Sequence, residues 1–131
     1  MINYRIVVDS CGEFTEDMKK DPHFAHAALH LSIDGEQFVD DETFDRLDFL
    51  AKMKASPNCP KSPEVYRAAF DCGAEHLYAI TLSAELSGSY NSAVLGMNLF
   101  LENHPDAKVH VFNSCSASVG ETLIAKKIAE Y

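Results

Sequence analysis

The sequence predicts an α/β fold: a mostly parallel sheet with helices on both of its faces, in three layers, plus a small β-hairpin. Short apolar runs rich in β-branched residues alternate along the chain with segments of helical periodicity. Most of these runs end in turns of small polar residues, where a strand of a parallel sheet leaves for the helix that covers it. The 131 residues are enough for one domain and too few for two.

Each predicted element follows from a local pattern. Strands are indicated by β-branched or alternating apolar residues, and helices by a helical period that begins after a capping residue and ends at proline or glycine. Asp34-Gly35 predicts a hairpin turn. The predicted strands are residues 4–8, 27–33, 36–39, 77–82 and 109–112. The predicted helices are a short one capped by Thr15 and four others at residues 44–54, 63–73, 90–101 and 117–131.

Composition and charge exclude several classes of partner. The 20 acidic and 11 basic side chains give a formal net charge of −9, which repels a phosphate backbone, so we expect no nucleic acid partner. No apolar run approaches the roughly 20 residues that a spanning helix needs, so we expect no membrane insertion. The N-terminal residues lack the features of a secretory signal, which favours a cytoplasmic protein. We expect no cofactor.

Three predicted strands end in loops that are rich in small hydroxylated residues. Parallel strands end at one common edge, where ligands of open α/β sheets bind. Each loop also begins a helix, whose N–H groups and dipole favour an anion. Hydroxyls and amides without lysine or arginine suggest hydrogen bonds to a single carboxylate or phosphate, and a glycine lets a backbone approach the ligand. The candidate ligand-binding residues of these loops are Ser10, Ser87, Gly88, Ser89 and Ser114.

Three segments resemble the DegV family of fatty-acid-binding proteins. Residues 80–93, Ile-Thr-Leu-Ser-Ala-Glu-Leu-Ser-Gly-Ser-Tyr-Asn-Ser-Ala, are similar to the central signature of that family. Val7-Val8-Asp9-Ser10 is similar to its opening strand and turn, and residues 111–120 are similar to its Asp-Ser-x-x-x-Ser-x-Gly segment. The resemblance spans this chain but only about the first half of a typical member. It implies that residues 1–131 are a single N-terminal domain, truncated before the C-terminal domain of the family.

The resemblance also implies a function. A DegV-like protein is a carrier and not an enzyme: it binds the carboxylate of a long-chain fatty acid and presents it to a separate fatty-acid kinase. Ser87 matches the binding serine of the family, and Asn58 stands nearest to its binding threonine. An asparagine amide can donate to a carboxylate, so whether Asn58 replaces that threonine is an open question. Acyl length, unsaturation, oligomeric state and lipid binding by this chain alone are also open.

Other interpretations use the same residues. The serines could only cap helices, and the same loops could serve a small phosphate-ligand enzyme or an inert fragment with a structural role. A metal site at His23, His26 and His30 has no recognised ligand pattern to complete it, so none is expected. A nucleophilic hydrolase would need a G-x-S-x-G turn, which is missing. The four cysteines form no C-x-x-C pair and are expected to be reduced; Cys115, at a helix start, is expected to be buried rather than reactive.

Overall fold

The computed structural model describes residues 3–28, 30–33, 36–39, 41, 45 and 63–131. The strands in these ranges are β1 (Tyr4–Asp9), β2 (Phe24–Ala27), β3 (His30–Ile33), β4 (Glu36–Val39), β5 (His76–Thr81) and β6 (Lys108–Asn113). The helices are α1 (Glu16–Lys20), α2 (Pro63–Phe70), α3 (Ser89–Leu101) and α4 (Val119–Ala129). Apart from Asp45, the predicted helix at 44–54 lies outside the described residues, as do the Asp34-Gly35 turn and Asn58.

Four strands form a parallel sheet in the order β2-β1-β5-β6. The two central strands are the most deeply buried: Ile6 to Asp9 in β1 and Ala79 to Thr81 in β5 are continuously buried. A strand covered on both faces needs apolar side chains on both faces, which explains why these sequences are apolar runs without alternation. The prediction of a parallel sheet is confirmed.

Helices cover both faces of this sheet. Successive side chains of a strand point to opposite faces, so Val7 of β1 belongs to one apolar core while Ile6 and Val8 belong to another. Helices α2 and α3 complete the core around Val7 with Tyr66, Phe70, Ala93 and Phe100. Helices α1 and α4 complete the other core with Met18 and Ala125. The three-layer prediction is therefore confirmed. Within the described ranges, no helix combines the length and the apolar character needed to cross a membrane.

The predicted single strand at 27–33 is wrong. The structure divides this region between β2, which pairs with β1 at the edge of the parallel sheet, and β3, which pairs with β4 in the antiparallel hairpin. Both short strands share the period of two residues, so the alternation continues across the point where the chain passes from one sheet to the other. Apart from this division, the described strands agree with the predicted ones.

Two helix starts differ in detail from the predictions. Thr15 is the N-cap residue of α1, as predicted, but its hydroxyl makes no capping hydrogen bond. The predicted helix at 117–131 begins at Val119, because Ser118 has a φ of 54°, outside the helical region. The other described helices agree with their predicted bounds within one helical turn.

Gly96 brings α2 and α3 into direct contact. A Cβ atom on Gly96 would lie 2.5 Å from the backbone oxygen of Pro63 and 2.8 Å from Cβ of Tyr66. A glycine inside a helix costs about 1 kcal/mol relative to alanine, and here the close packing of two helices offsets this cost. This contact fixes the distance of α2 from α3 and therefore the position of Tyr66.

Candidate functional site

The loops after β1, β5 and β6 lie together at the carboxyl edge of the sheet. Ser83 donates its backbone N–H to the carbonyl of Ser116 at 2.9 Å, which joins the loops after β5 and β6. The Thr122 hydroxyl, at the start of α4, donates to the carbonyl of Glu13 at 2.6 Å, which joins the loop after β1 to the same group. The predicted convergence of the three loops is confirmed.

Asp9 is a fully buried carboxylate at the centre of these loops. Its Oδ2 accepts hydrogen bonds from the N–H of Leu82 at 2.9 Å and from the Ser89 hydroxyl at 2.6 Å. Its Oδ1 accepts a third from the N–H of Cys11 at 3.2 Å. Hydrogen bonds of this kind are what permit a charge to be buried. Asp9 was not among the predicted site residues, although a carboxylate directly after a buried apolar run was a signal for it.

Tyr66 extends this network to helix α2. Its hydroxyl lies 2.6 Å from Oγ of Ser89, and the side chain is buried against the apolar core. Burial raises the pKa of the Tyr66 hydroxyl well above its usual value, and the negative charge of Asp9 adds to this rise. The Tyr66 hydroxyl therefore stays protonated and able to donate. Tyr66 was also missed by sequence analysis, because its spacing indicated only a helix with an apolar face.

Ser87 and Gly88 lie at the exposed side of the loop after β5. Ser87 is half-buried, and its Oγ accepts the N–H of Ser89 at 3.1 Å. Gly88 is exposed and has a φ of −71°, which any residue can adopt. Apart from its neighbours along the chain, no residue has a heavy atom within 4 Å of the position that a Cβ on Gly88 would take. The backbone does not require glycine here, and the open space leaves room for a ligand.

Ser89 faces inward. It is fully buried, its hydroxyl donates to Asp9, and its N–H donates to Ser87. Both donors of the residue are therefore used within the protein. A direct ligand contact by Ser89 stays a prediction. The geometry favours a position behind Ser87, where the N–H of Ser89 supports the Ser87 hydroxyl.

The remaining predicted residues belong to the other two loops. Ser10 is half-buried and donates its N–H to the carbonyl of Ala27 at 3.1 Å, beside the edge strand β2. The Ser114 hydroxyl lies within its own loop, where it donates to the carbonyl of Ser116 at 3.2 Å and accepts the N–H of Ser116 at 3.1 Å. The loops bring Ser10, Ser87 and Ser114 to one edge, and their contact with a ligand stays a prediction.

The loop after β6 contains unusual backbone conformations. Among the described non-glycine residues, Cys115 and Ser118 have positive φ values, 50° and 54°. Asn113 Oδ1 accepts the N–H groups of both Cys115 and Ala84, each at 3.1 Å, and so stabilises this turn. The turn leaves Cys115 exposed, so the expected burial of this cysteine is wrong. Among the described cysteines, Cys11, Cys72 and Cys115 are not in disulfide bonds.

Two of the histidines considered as metal ligands, His23 and His26, have other contacts. His23 Nδ1 lies 2.7 Å from Asp21 Oδ1, and the pKa of that carboxyl is lowered, chiefly by the backbone N–H of His23. The His26 ring stacks on Phe14 at a centroid distance of 3.7 Å. In the part of the chain that the structure describes, no group of three or more histidine, cysteine, aspartate or glutamate side chains could hold a metal ion.

The chain is similar in sequence to known proteins along its whole length. The family model described as "Uncharacterised protein, DegV family" matches residues 3–131. A DegV domain-containing protein of Streptococcus pneumoniae is 37% identical over 109 residues, which cover 80% of this chain and 38% of that protein. The match therefore covers well under half the length of that relative.

Solved structures resemble the fold. A DegV-family protein from Ruminococcus gnavus, refined with vaccenic acid, is 50% identical with a TM-score of 0.82, over 98% of this chain and 48% of that chain. The Streptococcus pneumoniae Fatty Acid Kinase B3 protein, loaded with linoleic acid, is 31% identical with a TM-score of 0.75, over 98% and 48%. The match of the family model to residues 3–131, together with these likenesses, shows that the chain belongs to the DegV family.

Proposed function

We propose that the protein containing this chain binds the carboxylate of a long-chain fatty acid at the carboxyl edge of the sheet, as a carrier and not as an enzyme. The observation that supports this most is the position of Ser87, which is half-buried on a loop that lies with the loops after β1 and β6 at the same edge of the sheet. The relatives from Ruminococcus gnavus and Streptococcus pneumoniae hold vaccenic and linoleic acid.

The chemistry of this edge suits one carboxylate. A serine hydroxyl can donate to a carboxylate oxygen while it accepts another hydrogen bond, as Ser87 does from Ser89. Helix α3 begins directly after Gly88, and the positive end of its dipole favours an anion at this position. The net charge of −9 disfavours a polyanion but opposes a single carboxylate much less.

We expect Ser87→Ala to weaken fatty-acid binding about tenfold, the effect of losing one hydrogen bond to a charged group. The measurement is a titration of the delipidated complete gene product with oleate, supported by mass spectrometry of the acid that co-purifies. Asn98→Ala, on the exposed side of α3, is the control and should leave the dissociation constant unchanged. Equal affinities for Ser87→Ala and the unmodified protein would count against the proposed function.

Gly88→Ala separates ligand approach from folding. The allowed φ and the open space around Gly88 predict a change in the free energy of unfolding within about 1 kcal/mol. A methyl group in that space would obstruct a carboxylate bound by Ser87, so we expect a lower affinity for oleate. Urea denaturation and the same titration measure the two effects. Unchanged oleate affinity in this variant would mean that the ligand does not approach over Gly88.

A segment outside this chain completes the proposed site. The chain spans less than half of the solved relatives, so we propose that a second domain supplies most of the acyl tunnel. Each buried CH₂ group contributes about 0.8 kcal/mol, so residues 1–131 alone should bind oleate much more weakly than the complete gene product. A comparison of the two affinities tests this.

The proposed partner is a separate fatty-acid kinase, which would phosphorylate the bound acid. The support is the name of the Streptococcus pneumoniae relative, a Fatty Acid Kinase B3 protein. A cytoplasmic location belongs to the same proposal, because a kinase needs ATP. The test is acyl phosphate formation when the oleate-loaded gene product is mixed with a fatty-acid kinase and ATP, with the Ser87→Ala variant as comparison.

A further inference from the structure

We propose that Asp9 is a positioning residue of the fatty-acid site: it acts through the loop that carries Ser87, without contact with the ligand. This inference rests on the proposed function. Asp9 is fully buried, so a bound acid cannot reach it, and its three hydrogen bonds all go to groups of the protein.

A single oxygen atom binds both ends of the loop after β5. Asp9 Oδ2 accepts the N–H of Leu82, where the strand ends, and the hydroxyl of Ser89, where α3 begins. Ser87 and Gly88 lie between these two points. The N–H of Ser89 then donates to Oγ of Ser87. A single residue, Ser89, therefore links Asp9 to the proposed ligand-binding hydroxyl.

The charge of Asp9 also sets the direction of the hydrogen bonds behind the loop. A carboxylate only accepts, so the single proton of the Ser89 hydroxyl points to Asp9. The oxygen of Ser89 must then accept from Tyr66, whose hydroxyl lies 2.6 Å away. The order of donation is therefore Tyr66 to Ser89 to Asp9. A neutral side chain at position 9 would remove this constraint and allow Ser89 to turn.

Tyr66 connects the same network to the start of α2. This helix begins at Pro63 and follows directly on the segment that contains Asn58 in the sequence. Asp9 therefore joins, through Ser89 and Tyr66, helix α2 to the loop that carries Ser87. The geometry points to one buried carboxylate that sets the spacing of α2 and this loop.

Asp9→Asn tests this role, because asparagine has the same shape and retains one oxygen but replaces the other by an amide donor. We expect oleate affinity of the complete gene product to fall about tenfold, as for loss of one charged hydrogen bond. Asp9→Asn combined with Ser87→Ala should bind no more than about twofold more weakly than Ser87→Ala alone, because both changes disable the same hydroxyl.

Phe100→Leu is the matched control for destabilisation. Phe100 is buried in the apolar core near the far end of α3, so this variant lowers stability without affecting the loop. Its oleate affinity should stay within about twofold of the unmodified protein, since distant sites act independently. If Asp9→Asn does not fold, Ser89→Ala replaces it in the same double-mutant cycle, because it removes one of the two donors to Oδ2.

The outcomes distinguish the inference from the proposed function. Oleate binding unaffected by Ser87→Ala contradicts the proposed function and the inference with it. The positioning role alone is overturned when Ser87→Ala weakens oleate binding and either of two results is found for Asp9→Asn. One is a loss of oleate affinity that multiplies with the loss from Ser87→Ala. The other is a loss no larger than that of Phe100→Leu. Loss of affinity in Asp9→Asn that disappears in the Ser87→Ala background supports the positioning role.

Discussion

Gly96→Ala is expected to lower the free energy of unfolding by about 2–3 kcal/mol, the usual cost of forcing a methyl group into a close-packed contact. The added Cβ would meet the backbone oxygen of Pro63 at 2.5 Å and the backbone nitrogen of Arg67 at 3.1 Å. Backbone atoms cannot turn aside as a side chain can, so α2 must move away from α3. The helical preference of alanine over glycine recovers only about 1 kcal/mol.

Urea denaturation followed by circular dichroism measures this loss. Gly88→Ala is the matched control, since it adds the same methyl group at a position with no packed neighbour within 4 Å. The packing of α2 on α3 would be described incorrectly if Gly96→Ala were as stable as Gly88→Ala. The displaced helix also carries Tyr66, so oleate affinity should fall in Gly96→Ala.

Asp9→Ala is expected to lower the free energy of unfolding by about 3–5 kcal/mol, because it leaves one buried and two part-buried donors without their acceptor. These donors are the N–H groups of Cys11 and Leu82 and the hydroxyl of Ser89. Folded domains are stable by only about 5–15 kcal/mol, so a large part of the total would be lost.

The same urea experiment provides the measurement for Asp9→Ala. Asp71→Ala removes an exposed carboxylate and should change stability by no more than about 0.5 kcal/mol. A loss of less than 1 kcal/mol in Asp9→Ala would mean that water or another acceptor takes the place of the carboxylate, and the central role given to Asp9 would be wrong.

The sheet was predictable from sequence because its central strands are covered on both faces. The apolar runs from Ile6 to Val8 and from Leu77 to Ile80 are short and are followed by turns of small polar residues, which is typical of strands covered on both faces. The division of residues 27–33 between β2 and β3 was not predictable. It depends on which partner strand each half meets, and alternation carries no information about the partner.

The loops of the site were predictable from sequence, but the hydrogen bonds that join them were not. The sequence pattern indicated that Ser10, Ser87 and Ser114 share one edge, since all strands of a parallel sheet end at the same edge. The role of Asp9 was not visible because its partners Leu82 and Ser89 are 73 and 80 residues away in sequence. Ser89 was predicted to face a ligand, yet the sequence does not show which way the side chain at a helix start points.

The two hydrogen bonds to one oxygen of Asp9 have a thermodynamic consequence for binding. They tie both ends of the loop at residues 82–89 to one atom. The conformational entropy of this loop is therefore lost when the protein folds and not when a ligand binds. A preorganised loop binds more tightly for the same contacts. Under the proposed function, affinity at this edge therefore depends on a buried side chain that the fatty acid does not touch.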